Sequence, residues 1–273
     1  MENLETENLG SQMGNFAALA TIAQRTGHRI AFFEEKLNLG KTLQIQKHFK
    51  NFPLDIISTT ALSDDNRVVF NLPLSTHMQI DPRIYEINPG SSYNIHGLFH
   101  SYRYWYAARN YVKDLYRFNS EVVNEALNNV ESARIGTNSV VSIHVRRGDY
   151  IGGAHVNLSL DYYLSAIEKF KNMRCSFLVF SDDLSWCIEN FKSINNLFFS
   201  KGATPIIDMA SMALCDHNIT ANSSFSTWGA ILNKNYEKIV VCPLRFLKND
   251  SLPPYLNYAW HPDTWIGIGI GNT

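Results

Sequence analysis

Apolar residues recur at helical spacing over residues 12–26, and Gly27 stands where a left-handed cap stops a helix. Ile30–Phe33 reads as a short strand. Between residues 51 and 95 the apolar runs are short and broken by Pro, Asn, Asp and Ser, so no element is assigned there. Residues 103–118 predict a helix, 119–134 a second and more polar one, and Gly136–Ser139 a linker. Beyond the linker the pattern sharpens. Val140–Val145, Phe177–Phe180, Leu197–Phe199, His217–Ala221 and Lys238–Cys242 predict five strands. Helices are expected at Ser159–Lys171, just after Asp183, at Ile207–Cys215 and at Ser223–Leu232. Strands alternating with helices imply a doubly wound parallel sheet. Such sheets bind ligands beyond the carboxyl ends of their strands, so the loops after residues 145, 180 and 221 are the ones to inspect.

Composition narrows the function. The chain has 273 residues, with 24 Lys plus Arg against 25 Asp plus Glu, a formal charge of -1. No global excess of positive charge is present to bind a nucleic-acid backbone. An anionic ligand must therefore meet a local cluster. Four Cys, at 175, 187, 215 and 242, lack C-x-x-C spacing and lie in apolar surroundings, so they are expected as buried free thiols. The N-terminus does not read as a signal peptide, and no stretch reaches the roughly 18 apolar residues of a membrane span. The chain is thus expected to be soluble as given, with its compartment open. Sequons occur at Asn157, Asn218, Asn222 and Asn249, two of them in a segment expected to be interior.

The loop after residue 145 reads His144-Val145-Arg146-Arg147-Gly148-Asp149-Tyr150. Adjacent arginines at a buried strand end suit a phosphate group, since the guanidinium fork is permanently charged and bidentate. A structural Arg–Asp ion pair is the competing explanation. The loop after residue 221, Asn222-Ser223-Ser224, opens a helix with small hydroxyls and is either an anion site or ordinary capping. Asp182 and Asp183 admit a metal reading, but helix capping is favoured. Tyr102, Tyr104, Trp105 and Tyr106 cluster beside His96, His100 and Arg103, while Trp260 and Trp265 lie near the C-terminus. Such rings suit either sugar stacking or core packing. No P-loop, Gly-x-Ser-x-Gly or Gly-x-Gly-x-x-Gly is present.

Three segments together carry a family resemblance. VSIHVRRGDY over Val141–Tyr150, FLVFSDD over Phe177–Asp183, and DMASMALCDHNITANSSFSTWGAILN over Asp208–Asn233 resemble, in order, the hallmark segments of the alpha-1,2-fucosyltransferase family, glycosyltransferase family eleven. Upstream, GLFHSYRYW over Gly97–Trp105 is similar to a further pattern of that family, and Met13-Gly14-Asn15-Phe16 to a shortened form of its opening Gly-rich turn.

The resemblance implies a GT-B-type α/β fold with two Rossmann-like lobes. Residues 1–138 would form the acceptor-side lobe and 139–273 the GDP-fucose-binding lobe. It implies inverting transfer of L-fucose to the 2-hydroxyl of a galactose-terminated glycan, with no metal or other cofactor. Arg146 and Arg147 would hold the diphosphate, with Asn222, Ser223 and Ser224 at the helix start. His144 and Asp208 would contact the guanosine, and Asp149 is the base candidate. Asn15, His100, Tyr102 and Tyr150 are expected on the acceptor side. The alternatives are a weakly catalytic glycan- or nucleotide-binding relative, or a fucosyltransferase of another linkage. If bacterial the chain would be cytoplasmic; if eukaryotic it would be a Golgi enzyme lacking its anchor.

Overall fold

The computed structural model describes residues 8–33, 44–49, 52–57, 67–71, 80–96, 99, 101–201, 204–248 and 261–269. The chain divides into two units, Met1–Arg117 and Phe118–Thr273.

In the first unit, helix α1 (Leu9–Thr26) is buried along most of its length, with Met13, Phe16, Ala17 and Ala18 fully inside. It ends at Gly27, whose φ of 73° admits a left-handed cap and whose N–H donates to the Ala23 carbonyl. Strand β1 (Ile30–Phe33) pairs in parallel with β2 (Leu54–Ile57), and β3 (Arg67–Asn71) in parallel with β4 (Ser92–His96). A single turn, α2 (Gln44–His48), precedes β2. The expected helix over 103–118 forms only in part. Two tight 3-10 turns, Tyr102–Tyr104 and Tyr106–Ala108, precede α3 (Arg109–Leu115). These turns bury Tyr102, Tyr104 and Trp105, and the Tyr104 hydroxyl accepts the Asp81 N–H at 3.0 Å.

The second unit opens with α4 (Ser120–Ala133), capped by the Asn119 side chain on the Val122 N–H. The sheet follows as β5 (Ser139–Val145), β6 (Cys175–Ser181), β7 (Leu197–Phe199), β8 (His217–Ile219), β9 (Val240–Pro243) and β10 (Ile266–Ile268). Between the strands lie α5 (Leu160–Ile167), α6 (Leu184–Asn190), α7 (Pro205–Leu214) and α8 (Ser224–Leu232). Spatial order is β10-β9-β8-β5-β6-β7, and every neighbouring pair is parallel. Successive β5 side chains enter opposite cores. Val141, Ile143 and Val145 meet Tyr162, Tyr163 and Phe191, while Val140 meets Val130, Met212 and Cys215. Burial on both faces explains the nearly unbroken apolar run.

Two expectations need correction. The division falls at 117/118 rather than 138/139, because α4 packs on α7 and places Val130 and Ala133 in the second unit's core. The edge strand β10 was not foreseen, since its Ile-Gly alternation lacks a β-branched run. All four cysteines are free and buried, as expected. Asn218 and Asn222 are also buried, and Asn249 lies outside the described residues.

Candidate active site

Chain order reverses between β5 and β8, which are neighbours in the sheet although two strands intervene in sequence. The crossovers leave in opposite directions there, opening a crevice beyond the two carboxyl ends. The loop from β5 carries the arginine pair, and the loop from β8 runs into α8.

The arginines are held by carboxylates from their own loop and from the end of β6. Arg146 pairs with Asp149 at 2.7 Å and with Asp182 at 3.0 Å. Arg147 pairs with Asp183 at 3.1 Å, and its guanidinium lies 4.3 Å from the centre of the Trp186 ring. The Arg147 backbone N–H donates to Asp182 at 2.9 Å. Asp183 also caps α6 through the Trp186 N–H at 3.0 Å. That bond, with Arg147 adding to it, holds the Asp183 carboxyl below the ordinary carboxylate range. Gly148 gives the Asp182 carboxylate room to sit where it does, because a Cβ on it would stand 2.7 Å from an Asp182 oxygen. Both Asp182 and Asp183 pair with arginine, and Asp183 caps the helix as well. Sequence reasoning missed Asp182 as part of the arginine site. The signal was available, since consecutive strands of a parallel sheet bring both loops to one end.

The β8 loop is held by neutral groups. The Asn222 amide donates to the Val156 carbonyl at 2.8 Å and the Phe246 carbonyl at 3.0 Å. Ser226 accepts the Ala221 N–H, and the Ser223 carbonyl accepts the Thr227 N–H as α8 begins. Tyr150 is buried, stacks on His155 with ring centres 4.1 Å apart, and donates its hydroxyl to the Asn222 carbonyl at 3.0 Å. Burial pushes the Tyr150 phenol up to about 12. Asn222 and Tyr150 therefore tie the two loops together. Neither side chain faces out as a donor or acceptor contact in this structure. Buried loop carbonyls need donors, and these two residues supply them or accept the tie.

His144, at the end of β5, is buried against Phe225 with its Nδ1 unpartnered. Burial, reinforced by the Arg146 charge, lowers it to about 3, so the imidazole is neutral. Asp208, in the first turn of α7, accepts a 2.6 Å hydrogen bond from Ser200. Burial raises its carboxyl above the ordinary range, and the Ser200 bond opposes that.

The acceptor-side expectations fall in the first unit, apart from Tyr150. Asn15 is buried inside that unit, where its Oδ1 accepts the Phe99 N–H at 2.7 Å. It holds the chain segment before Tyr102 rather than presenting an amide outward. Tyr102 is also buried, edge-on to Tyr106. His100 and Trp260 lie outside the described residues. Trp265 packs on His261, whose ring lies against Phe246.

Two α/β units with parallel sheets, the second with its site at the strand-order reversal, define a GT-B-type fold. The chain belongs to glycosyl transferase family 11, whose model matches residues 4–268. It is 26% identical over 238 residues to the Escherichia coli O-antigen biosynthesis glycosyltransferase WbnK, covering 81% of this chain and 76% of that protein. It is 37% identical over 146 residues to an E. coli alpha-1,2-colitosyltransferase, covering 48% of each. Against the Mus musculus galactoside alpha-(1,2)-fucosyltransferase 2 it is 27% identical over 287 residues, covering 95% of this chain and 76% of that protein. The fold is similar to that of the fucosyltransferase NodZ from Bradyrhizobium, with a TM-score of 0.56 and 16% identity over 81% of this chain and 88% of that one. It is likewise similar to an Arabidopsis thaliana FUT1 variant in complex with GDP, with a TM-score of 0.58 and 12% identity over 94% and 73%. Among the described residues no helix is long and apolar enough to cross a membrane.

Proposed function

We propose that this protein transfers L-fucose from GDP-fucose to the 2-hydroxyl of a galactose in a glycan, with inversion and without a metal. The observation that carries the reading is the pair Arg146–Arg147 at the β5/β8 strand ends, beside the start of α8. Family membership and the names of the relatives support it: a mouse galactoside alpha-(1,2)-fucosyltransferase, and a NodZ structure soaked with GDP-fucose.

In this reading the donor diphosphate replaces carboxylate oxygens on the two guanidinium groups. The exchange keeps each fork paired with an anion of matching geometry. The bond between fucose C1 and the phosphate oxygen breaks, and GDP leaves with the electron pair. The sugar passes through an oxocarbenium-like state. Arg146 and Arg147 stabilise charge as it develops on the leaving oxygen, the task a divalent cation performs elsewhere. The acceptor oxygen attacks from the opposite face and yields its proton to Asp149, the most exposed carboxylate of the cluster at 60%. Asp182 and Asp183 are engaged by the arginines and the helix start, which also favours the metal-free reading.

A second donor is favoured by one observation, the 37% identity to an alpha-1,2-colitosyltransferase. The test is transfer from GDP-fucose, and from the corresponding colitosyl donor, to galactose-terminated acceptors with EDTA present. Linkage is read by glycosidase digestion. Product with a 1,2-linkage from GDP-fucose is expected. Retained GDP binding without turnover from either donor would overturn the enzyme reading, and rescue of an EDTA-treated sample by Mn²⁺ the metal-free one.

A further inference from the structure

Asp208 is partly exposed, but the groups behind it are not. Ser200, just past β7, is 7% exposed, and Asn129, on α4, is 8% exposed. Ser200 Oγ lies 2.6 Å from Asp208 Oδ1, and Asn129 Nδ2 donates to Ser200 Oγ at 2.9 Å. The second Asn129 amide proton goes to Ser211 Oγ at 3.1 Å. The chemistry of the ends fixes the direction of this chain. An ionised carboxylate only accepts and an amide nitrogen only donates, so the serine hydroxyl accepts from Asn129 and donates to Asp208. The hydroxyl proton, directed at Asp208 Oδ1, holds one carboxylate oxygen in place.

The locked carboxylate is short of donors. Among the described residues Asp208 accepts one side-chain hydrogen bond, while burial already disfavours its charge. A ligand edge that offers two parallel N–H groups would complete it. Guanine has such an edge in N1–H and the 2-amino group; hypoxanthine offers one of the two donors, and adenine places an acceptor at N1.

We infer that Ser200 and Asn129 are positioning residues that set the nucleobase preference of the donor site by orienting Asp208. The inference rests on the GDP-fucose reading above and goes beyond it in assigning discrimination to two residues that do not touch the base. It also gives α4 a function. The helix that sequence alone placed in the first lobe supplies Asn129 to the second unit's site. Sites built to hydrogen-bond a ligand edge reject analogues lacking it, because buried polar groups are then left unpaired.

The experiment is calorimetric binding of GDP, IDP and ADP to the full chain and to Ser200→Ala and Asn129→Ala. The wild-type protein is expected to bind in the order GDP, IDP, ADP. In Ser200→Ala the GDP affinity should fall about tenfold while ADP changes by less than twofold, so the GDP/ADP ratio collapses. Asn129→Ala should move the ratio the same way by a smaller factor, because the freed hydroxyl still reaches Asp208 in some rotamers. The ratio is independent of the folded fraction, so partial misfolding does not confuse it. A wild-type protein without GDP preference would sink the underlying donor reading. A wild-type preference that survives intact in Ser200→Ala, or an equal loss for all three nucleotides, would overturn the relay alone.

Discussion

The loops that leave β5 and β8 stand side by side and are held by opposite means. The β5 loop is held by charge, with Arg146 on Asp149 and Asp182 and Arg147 on Asp183. The β8 loop is held by neutral hydrogen bonds, with Asn222 on two backbone carbonyls and Ser226 on the Ala221 N–H. The difference matters when an anion arrives. A guanidinium can trade a carboxylate for a phosphate and stay paired, and the released carboxylate returns to water. A buried amide cannot trade, because the Val156 carbonyl it would leave behind has no other donor among the described residues. The charged loop is therefore built to exchange partners and the neutral loop to stay put.

The contrast breaks first at the arginines. Arg147→Ala should lower kcat/KM by about a thousandfold, roughly 4 kcal/mol of transition-state stabilisation, with the denaturation midpoint nearly unchanged. Steady-state kinetics beside urea unfolding checks it. Asn222→Ala should do the reverse. It strands the Val156 carbonyl in the interior, while the Phe246 carbonyl keeps the Val156 N–H, at about 1–2 kcal/mol of stability, and lowers activity only as far as the fold loosens. If both variants lost stability equally, the two loops would not differ in kind.

The second unit was largely legible in the sequence, whereas in the first only α1 with its Gly27 cap and β1 were. Val140–Val145 and Phe177–Phe180 lie in strands buried on both faces, so their apolar runs announce them, and the half-buried edge strand Leu197–Phe199 is short but wholly apolar. Strands β2, β3 and β4 carry exposed or half-buried positions such as Val68, Val69 and Asn94, and the run through 51–95 gave no pattern to read. The arginine pair was visible because two adjacent charges at a strand end are rare in a core. Asp182, Ser200 and Asn129 were not, because their roles depend on which strands become neighbours. Tyr150 and Asn222 are expected at the substrate from likeness of motif, and the fold also uses both to tie loop backbone together. That competition between binding and bracing is decided by packing, which no local pattern records.

A smaller test sharpens the charged side of the comparison. Gly148→Ala puts a methyl group 2.7 Å from Asp182 Oδ2, so the carboxylate must swing away from Arg146 and from the Arg147 N–H. The carboxylate is at the end of a short side chain and can move, so the fold should survive. We expect GDP binding to weaken about fivefold, near 1 kcal/mol, as the guanidinium groups lose their alignment. Unchanged affinity by calorimetry would mean that Asp182 does not orient the pair.

The smallest effect tests what lies beneath both loops. His144 at the root of the charged loop and His261 against Phe246 beneath the neutral one are both buried, and burial lowers each to about 3. In the unfolded chain each takes up a proton near pH 6.5, whereas in the folded protein it stays neutral until about pH 3. The unfolded state then binds more protons throughout that window, so stability must fall as pH drops from about 6.5 toward 3. Between pH 7 and 5.5 each histidine should remove about 1 kcal/mol. His261→Leu keeps an apolar group against Phe246 and removes one of the two, so it should reduce the acid loss measured by urea midpoints by about 1 kcal/mol between pH 7 and 5.5, with His48, His155 and His217, also lowered by burial, left in place. An undiminished slope would mean that the His261 ring admits a proton in the folded state, and that the neutral loop is less sealed than its hydrogen bonds imply.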